Sequence, residues 1–192
     1  KYLLDEKKIE STSIQTLLEN QLVLSAPIES SISPIKTLNT YTFNSYLAPL
    51  LIDAKLATGN VDHVPLGIYA KQALISLEIW PTIKKQLALT SNARAALAFA
   101  EKAAVPLALI YKTDALSSKK VKIIAEIDQQ HHEKIIYPMA IVWDKTTDQS
   151  QLLYDFLRST QAQQVFSQYG FNTNRPLHNV ANENKTSKKS AK

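Results

Sequence analysis

Two strand-to-helix junctions have uncharged residues where backbone N–H groups face a loop. Asp62–Ala70 is a strand–loop–helix junction with Pro65 and Gly67 at the turn, and the helical pattern begins at Leu66. In the second junction, Thr90–Asn92 supply N-cap side chains and Ala93 falls in the first turn. The first N–H groups of a helix lack intrahelical partners and carry the positive end of the macrodipole. Each junction is therefore either an anion-binding helix start or an ordinary capped loop.

A third candidate is Tyr111, which ends the apolar run that begins at Pro106. Ligands in open α/β folds collect at the carboxyl ends of strands, and a phenol there donates a hydrogen bond without bringing a charge. The alternative is a core tyrosine whose hydroxyl meets a loop carbonyl. Arg94 is either an anion clamp or a surface residue paired with an acidic neighbour such as Glu101.

Catalytic and metal-binding patterns are weak. The sequence has 3 Gly and no Cys, and it lacks a G-x-S-x-G elbow, an H-E-x-x-H motif and a P-loop. The neighbours His131 and His132 do not project together from a helix or strand, which makes them a poor metal site. Trp80 and Trp143 are isolated aromatics, unlike a stacking platform for nucleic acid. We therefore predict no enzyme activity, no cofactor, no direct metal ligand and no nucleic-acid partner.

The elements that must position these residues alternate between strands and helices. Strands are predicted at 21–26, 55–58, 106–111, 121–127 and 135–142, and a loop extends to about residue 45. Helices are predicted at 46–51, 66–79, 92–103, 147–158 and 160–168. This order favours a parallel or mixed sheet with helices on its faces. We interpret the runs at 107–110 and 121–124 as parallel strands.

The positive charge is concentrated at the end of the chain. Of the formal net charge of +5, residues 175–192 contribute five basic residues and one acidic residue, a net of +4, which leaves +1 for residues 1–174. The basic end is rich in Lys, Ser and Asn without apolar periodicity, and is predicted to be a disordered tail. No run of about 18 apolar residues predicts a membrane-spanning helix.

Several stretches, in order, resemble one family. They are Asn20–Leu24, His63–Lys71, Arg94–Ala98, Pro106–Ala115, Tyr137–Val142 and Gln168–Phe171. Together they are similar to the molybdate-binding, substrate-binding component of an ABC importer. The resemblance covers roughly residues 1–173.

This resemblance implies an α/β chain with a type II periplasmic binding protein fold, in which two lobes close around an anion. The chain would hold the complete second lobe plus the C-terminal part of the first lobe. Residues 1–20 would be a remnant of lobe one leading to the hinge, 21–136 lobe two, 137–174 the return to lobe one, and 175–192 the tail. The hinge crossings are expected near 19–22 and 134–138.

The resemblance also implies the ligand set. The backbone N–H groups of Leu66 and Ala93 and the hydroxyl of Tyr111 would bind the oxyanion from the second lobe. Family members commonly have a smaller residue where Leu66 stands, so Leu66 is expected to narrow the pocket or shift its selectivity. The first-lobe segments that carry serine ligands in the family precede the region of resemblance.

The function implied is a periplasmic or extracytoplasmic protein, monomeric at full length, that captures molybdate or tungstate and delivers it to the membrane permease of an ABC importer. One alternative is a binding protein for sulfate or another small oxyanion. Another is the ligand-sensing domain of a transcription regulator, which shares the bilobal architecture.

Overall fold

A computed structural model describes residues 2–173, so the predicted tail at 175–192 lies outside the described residues. None of the helices within the described part is long and apolar enough to cross a bilayer. The strands are β1 Gln15–Asn20, β2 Leu22–Pro27, β3 Leu56–Gly59, β4 Leu87–Thr90, β5 Leu107–Tyr111, β6 Val121–Glu126 and β7 Ile135–Met139. The α-helices are α1 Tyr2–Asp5, α2 Thr40–Thr42, α3 Pro65–Ser76, α4 Trp80–Ile83, α5 Ala93–Glu101, α6 Lys112–Ser117, α7 Asp148–Leu157 and α8 Thr160–Gln168.

Five strands form one mixed sheet in the order β4-β3-β5-β2-β6. The strands β4, β3 and β5 are mutually parallel, and β2 runs antiparallel to its neighbours β5 and β6. The central strands are buried in the core of the chain: Leu22, Val23 and Ala57 are 0% exposed. This sheet confirms the predicted strand–helix alternation.

The prediction that residues 121–124 form a parallel strand was wrong. In the described sheet β6 pairs only with β2, and that pairing is antiparallel. As an edge strand it needs less apolar surface than a central strand. Accordingly, Lys122 and Ile123 are only partly buried, and the Lys122 ammonium donates a hydrogen bond to the Ser30 carbonyl.

The predicted loop up to residue 45 and helix at 46–51 also need correction. Helical structure begins at Thr40, because Asn39 and Thr42 form a capping box with each other's backbone N–H groups. The chain then continues as a π-helix, Phe43–Leu47, and a 3-10 helix, Ala48–Leu51. A regular α-helix over 46–51 is disfavoured because Pro49 removes a backbone donor.

A second group of elements lies beside the five-stranded sheet. It consists of the antiparallel pair β1–β7 with α1, α7 and α8. The end of the described chain is fixed to this pair, since Glu19 and Asn172 exchange backbone hydrogen bonds of 2.8 and 2.9 Å. Gly170 has a φ of +86°, a backbone conformation that L side chains rarely adopt, and an added Cβ would lie 2.5 Å from the Leu116 Cδ1 atom of α6. Leu116 and Gly170 thus join the two groups.

Both connections between the groups occur at one end of the large sheet, where its parallel strands have their carboxyl ends. The chain passes from β1 to β2 at Gln21, and Leu22 pairs with Tyr111 at the carboxyl end of β5. It leaves the sheet at Glu126, which pairs with Val23, and reaches β7 at Ile135. The domain boundaries drawn from the sequence remain predictions, but both crossings lie at the edge where the parallel strands end.

The start of α3 packs against the end of β3 through two glycines. A Cβ on Gly67 would lie 2.2 Å from the carbonyl oxygen of Gly59 and 2.4 Å from that of Asn60. A Cβ on Gly59 would in turn lie 2.9 Å from the Gly67 nitrogen. Only hydrogen at both positions allows this approach, so the glycine pair fixes where the first turn of α3 sits.

We expect Gly67→Ala to lower the free energy of unfolding by about 2–3 kcal/mol, because the new methyl group meets rigid backbone instead of a movable side chain. Urea denaturation followed by circular dichroism measures the change. Ile75→Ala on the same helix is the control: Ile75 is 52% exposed, and its substitution is expected to stay within about 0.5 kcal/mol. Equal stability of the two variants would contradict this account of the glycine pair.

Candidate functional site

Three adjacent parallel strands bring the sequence-predicted residues to one edge. Gly59 at the end of β3 pairs with Thr90 at the end of β4, and β5 lies on the other side of β3. The chain enters α3, α5 and α6 beyond these three ends. Leu66, Ala93 and Tyr111 therefore follow neighbouring strand ends on the same side of the sheet.

The first turn of α3 presents backbone donors. Its N-cap, Val64, has an extended backbone and offers no side-chain cap, while Pro65 carries no N–H. Within residues 2–173 the Leu66 N–H has no hydrogen-bond partner. Leu66 as a whole is 1% exposed and belongs to the hydrophobic core. Its side chain is therefore unavailable to a ligand, and the N–H is its one candidate donor.

The first turn of α5 is built differently. The Asn92 side chain accepts a hydrogen bond of 2.9 Å from the Ala95 N–H, which satisfies the third residue of the helix. The Ala93 N–H has no partner among the described residues. The Thr90 hydroxyl lies 3.1 Å from the Thr58 carbonyl oxygen and 2.9 Å from that of Asn92, so it ties this turn to the end of β3.

Arg94 is not paired with Glu101. The Glu101 carboxylate accepts a hydrogen bond of 2.7 Å from the Ser118 hydroxyl instead. Arg94 is exposed, and its electrostatic neighbour is Asp114 on α6: burial raises the pKa of the Asp114 carboxyl, and Arg94 opposes that shift. Glu101 was the acidic neighbour expected on the same helix, whereas the electrostatic neighbour found comes from the next strand–helix unit.

Tyr111 is half-buried where β5 gives way to α6. Burial is the main cause that raises the pKa of its hydroxyl above the ordinary value of 10.0, followed by Tyr137, Tyr69 and Asp114 nearby. The hydroxyl therefore stays protonated at physiological pH. A protonated phenol donates a hydrogen bond, which is the chemistry required to bind an anion without a formal positive charge.

Two further tyrosines and one carboxyl, from different elements, are close enough to Tyr111 to raise the pKa of its hydroxyl. Tyr69 comes from α3, Tyr111 from β5 and Tyr137 from β7, and we call them the tyrosine cluster. Sequence reasoning identified only Tyr111, because Tyr69 and Tyr137 lie far away along the chain and join the cluster through tertiary packing. Asp114 carried a usable signal, since three residues after Tyr111 it falls within one helical turn of it.

The neighbouring histidines point to different partners. The Nδ1 atom of His131 lies 2.9 Å from the Ser76 hydroxyl, and that of His132 lies 2.7 Å from the Glu133 carbonyl oxygen. His132 also packs edge-on against Tyr69, with ring centroids 6.1 Å apart. In residues 2–173 no group of three or more His, Cys, Asp or Glu side chains is arranged to hold a metal ion.

Comparisons with known proteins agree on a family. The model for bacterial extracellular solute-binding proteins matches residues 1–172. The chain is similar to the molybdate-binding protein ModA of Escherichia coli (strain K12), with 39% identity over 170 residues. That match covers 88% of this chain and 65% of the relative, so the chain spans less than two thirds of that protein's length.

Solved structures show the same architecture. A substrate-binding domain from Clostridium difficile matches with a TM-score of 0.74 and 25% identity, covering 91% of this chain and 72% of that one. The periplasmic molybdate-binding protein of Azotobacter vinelandii matches with a TM-score of 0.67 and 15% identity, covering 91% and 74%. These similarities confirm the fold class predicted from the sequence, the α/β fold of periplasmic binding proteins.

Asp114 provides a test of the electrostatics at this edge. Burial raises the pKa of its carboxyl above the ordinary value of 3.8, and Arg94 partly opposes the shift. The folded state therefore binds this proton more tightly than the unfolded state, so stability falls as the pH rises from 3.8 through the folded-state pKa. We expect Asp114→Asn to gain a few tenths of a kcal/mol relative to wild type between about pH 3 and pH 7, by urea denaturation.

The exposed carboxylate Asp53 supplies a matched control. The gain of Asp114→Asn over that pH range should exceed that of Asp53→Asn, whose side chain lies in solvent. A difference for Asp114→Asn that shrinks with rising pH would mean that the Asp114 carboxylate is stabilised, not destabilised, by its surroundings.

Proposed function

Because this chain belongs to the bacterial extracellular solute-binding proteins, we propose that it captures molybdate or tungstate through uncharged hydrogen-bond donors and delivers it to the permease of an ABC importer. The proposed ligands are the backbone N–H groups of Leu66 and Ala93 and the hydroxyl of Tyr111. The protein acts outside the cytoplasm, in the periplasm where there is one. It is a binding protein and not an enzyme, and it works as a monomer.

The observation that carries this proposal is the position of the candidate donors at three neighbouring strand ends. Two helix starts with unused N–H groups and one protonated phenol follow β3, β4 and β5 at the same sheet edge. Hydrogen-bond donors without a counter-charge suit an oxyanion, because the helix dipole already favours negative charge at these points.

Uncharged donors also explain selectivity. Dipoles that are oriented before the ligand arrives replace the water shell of a dianion with little reorganisation, and each hydrogen bond to a charged oxygen contributes about 1.5–3 kcal/mol. A protonated oxyanion would turn one of its own O–H groups toward a donor of the site, which cannot accept it. A smaller oxyanion would leave the hydrogen bonds to its oxygens stretched. The size of the site and the protonation of the ligand therefore decide which anion binds.

The positions of the two connections would allow the two groups of elements to close around the ligand. Both connections, at Gln21 and at residues 127–134, are at the sheet edge that holds the donors. Rotation about these connections would bring the β1–β7 group over the anion. Movements of this kind sequester ligands in hinged binding proteins.

The choice of molybdate rests on the Escherichia coli relative, whose name states that ligand. Since this chain spans 65% of that protein's length, the ligand, the permease partner and transport itself are proposals for this chain. Sulfate in the same site is the competing assignment, and a direct titration distinguishes the two.

We expect the backbone amides of Leu66 and Ala93 to shift in a saturable manner when sodium molybdate is added to the ¹⁵N-labelled chain. Two-dimensional NMR detects even millimolar dissociation constants, so the test does not require tight binding. The amide of Leu153 on α7, outside the large sheet and its helices, is the internal control. Tungstate should give the same pattern, and sulfate should need a higher concentration.

Saturation by sulfate at lower concentration than molybdate would replace the ligand assignment. Saturable shifts at other amides, with Leu66 and Ala93 unchanged, would move the site elsewhere.

Tyr111→Phe removes one donor and leaves the ring. We expect molybdate affinity to fall about 10- to 100-fold, the loss of one charge-assisted hydrogen bond at about 1.4 kcal/mol per tenfold. Isothermal titration or the NMR titration measures the change. Tyr41→Phe, at a side chain 71% exposed outside the site, is the matched control and should bind like wild type. Unchanged affinity in Tyr111→Phe would exclude the phenol as a ligand.

A further inference from the structure

Asn20, at the end of β1, is a fully buried polar residue at the hinge. Its side chain is 0% exposed. The amide nitrogen donates to the Thr113 hydroxyl oxygen at 3.0 Å and to the Tyr137 hydroxyl oxygen at 3.1 Å. One side chain thus connects β1, the first turn of α6 and β7.

The orientation of this amide is fixed by its third hydrogen bond. The Gln21 backbone N–H lies 2.9 Å from the Asn20 side-chain oxygen, and a backbone N–H only donates. The atom that faces Gln21 is therefore the oxygen. The NH₂ group must face Thr113 and Tyr137, so both hydroxyl oxygens act as acceptors toward Asn20.

The hydrogen bond from Asn20 restricts the direction in which the Tyr137 hydroxyl can donate its proton. A phenol has one proton, and since its oxygen accepts from Asn20, the proton is directed to another acceptor. The ring is held edge-on by Phe171, with centroids 5.4 Å apart and planes at 89°. Within residues 2–173 the Tyr137 hydroxyl donates to no protein acceptor.

Tyr137 lies beside the proposed ligand Tyr111. Thr113, the other partner of Asn20, follows Tyr111 by two residues, and Lys112 between them donates its backbone N–H to the Gln21 carbonyl at 2.8 Å. The electrostatic influence of Tyr137 on the Tyr111 hydroxyl reflects the same proximity. The Tyr137 hydroxyl, whose proton has no protein acceptor among the described residues, therefore lies in the same region as the Tyr111 hydroxyl, at the carboxyl end of β5.

We propose that Tyr137 is a further hydrogen-bond donor to the bound oxyanion and that Asn20 is the positioning residue that orients its hydroxyl. This inference rests on the proposed function and extends it to the hinge. Because Tyr137 sits on β7 and Tyr111 on the large sheet, an oxyanion held by both phenols links the two groups of elements. Asn20 keeps the two phenols in register by contacting Thr113 and Tyr137 with the same NH₂ group.

The test combines Tyr137→Phe and Asn20→Asp in a double-mutant cycle on molybdate affinity. Tyr137→Phe deletes only the hydroxyl and should weaken binding about 10-fold or more. Asn20→Asp places an acceptor where the NH₂ group was, so the Tyr137 proton turns toward the carboxylate and away from the anion. Its effect should be clearly smaller in the Tyr137→Phe background, because the residue acts partly through that hydroxyl.

A pH profile separates this role from simple loss of packing. The carboxyl that Asn20→Asp introduces can donate once it is protonated, so the affinity deficit relative to wild type should shrink as the pH falls from about 8.5 to about 6. Burial favours the neutral form of such a carboxyl and places its titration within reach. Other charged groups lie nearby: Asp114, and Glu19 with its partner Lys134 at 3.7 Å. They are present in both wild type and Asn20→Asp, so their influence cancels in the ratio of the two affinities.

The outcomes distinguish this inference from the proposed function. If wild type binds molybdate, Tyr111→Phe weakens binding and Tyr137→Phe does not, the role of Tyr137 is wrong while the site stands. Equal effects of Asn20→Asp in both backgrounds, with a deficit that ignores pH, would reduce Asn20 to a structural residue. If wild type shows no saturable oxyanion binding, the proposed function itself fails. Urea denaturation of each variant shows that it is folded, and Tyr137→Phe tests the donor even if Asn20→Asp does not fold.

Discussion

The candidate site depends on backbone N–H groups at helix starts being held at a fixed place, and the parallel alignment of β3, β4 and β5 provides that place. Three parallel strands end together, so the helices that follow begin together. The Gly59–Gly67 contact then fixes α3 with backbone against backbone. Fixed dipoles are useful to a ligand only if they do not have to be ordered during binding, and this packing orders them beforehand.

At this end of the sheet, single residues bury their side chain in the core and leave their backbone N–H without a partner. Leu66 places its side chain in the core while its N–H remains unused, and Ala93 packs against the core through a methyl group. The identity of the side chain at position 66 is therefore expected to affect stability more than hydrogen-bond donation. The basic side chain that the sequence offered as an anion clamp, Arg94, is exposed and lies near Asp114.

Local signals predicted most of the large sheet and the three donors proposed to bind the anion. The cap residues Thr90–Asn92, Pro65 at a helix start and the apolar run ending at Tyr111 each act over a few residues, and each lies where the sequence placed it. The pairing of β6 was not predicted, because an edge strand and a central strand differ in neighbours more than in their own composition. The roles proposed for Asn20 and Tyr137 could not be predicted for a related reason: 117 positions separate the two residues, and their contact exists only once β1 and β7 have paired.

The contact between Leu116 and Gly170 bears on how far the molecule can flex. Leu116 belongs to the helix that follows β5 in the large sheet, and Gly170 to the segment tied to β1 through Asn172. A rotation of one group of elements against the other would move the Leu116 side chain along the Gly170 backbone. A larger residue at position 170 is therefore expected to hinder that rotation.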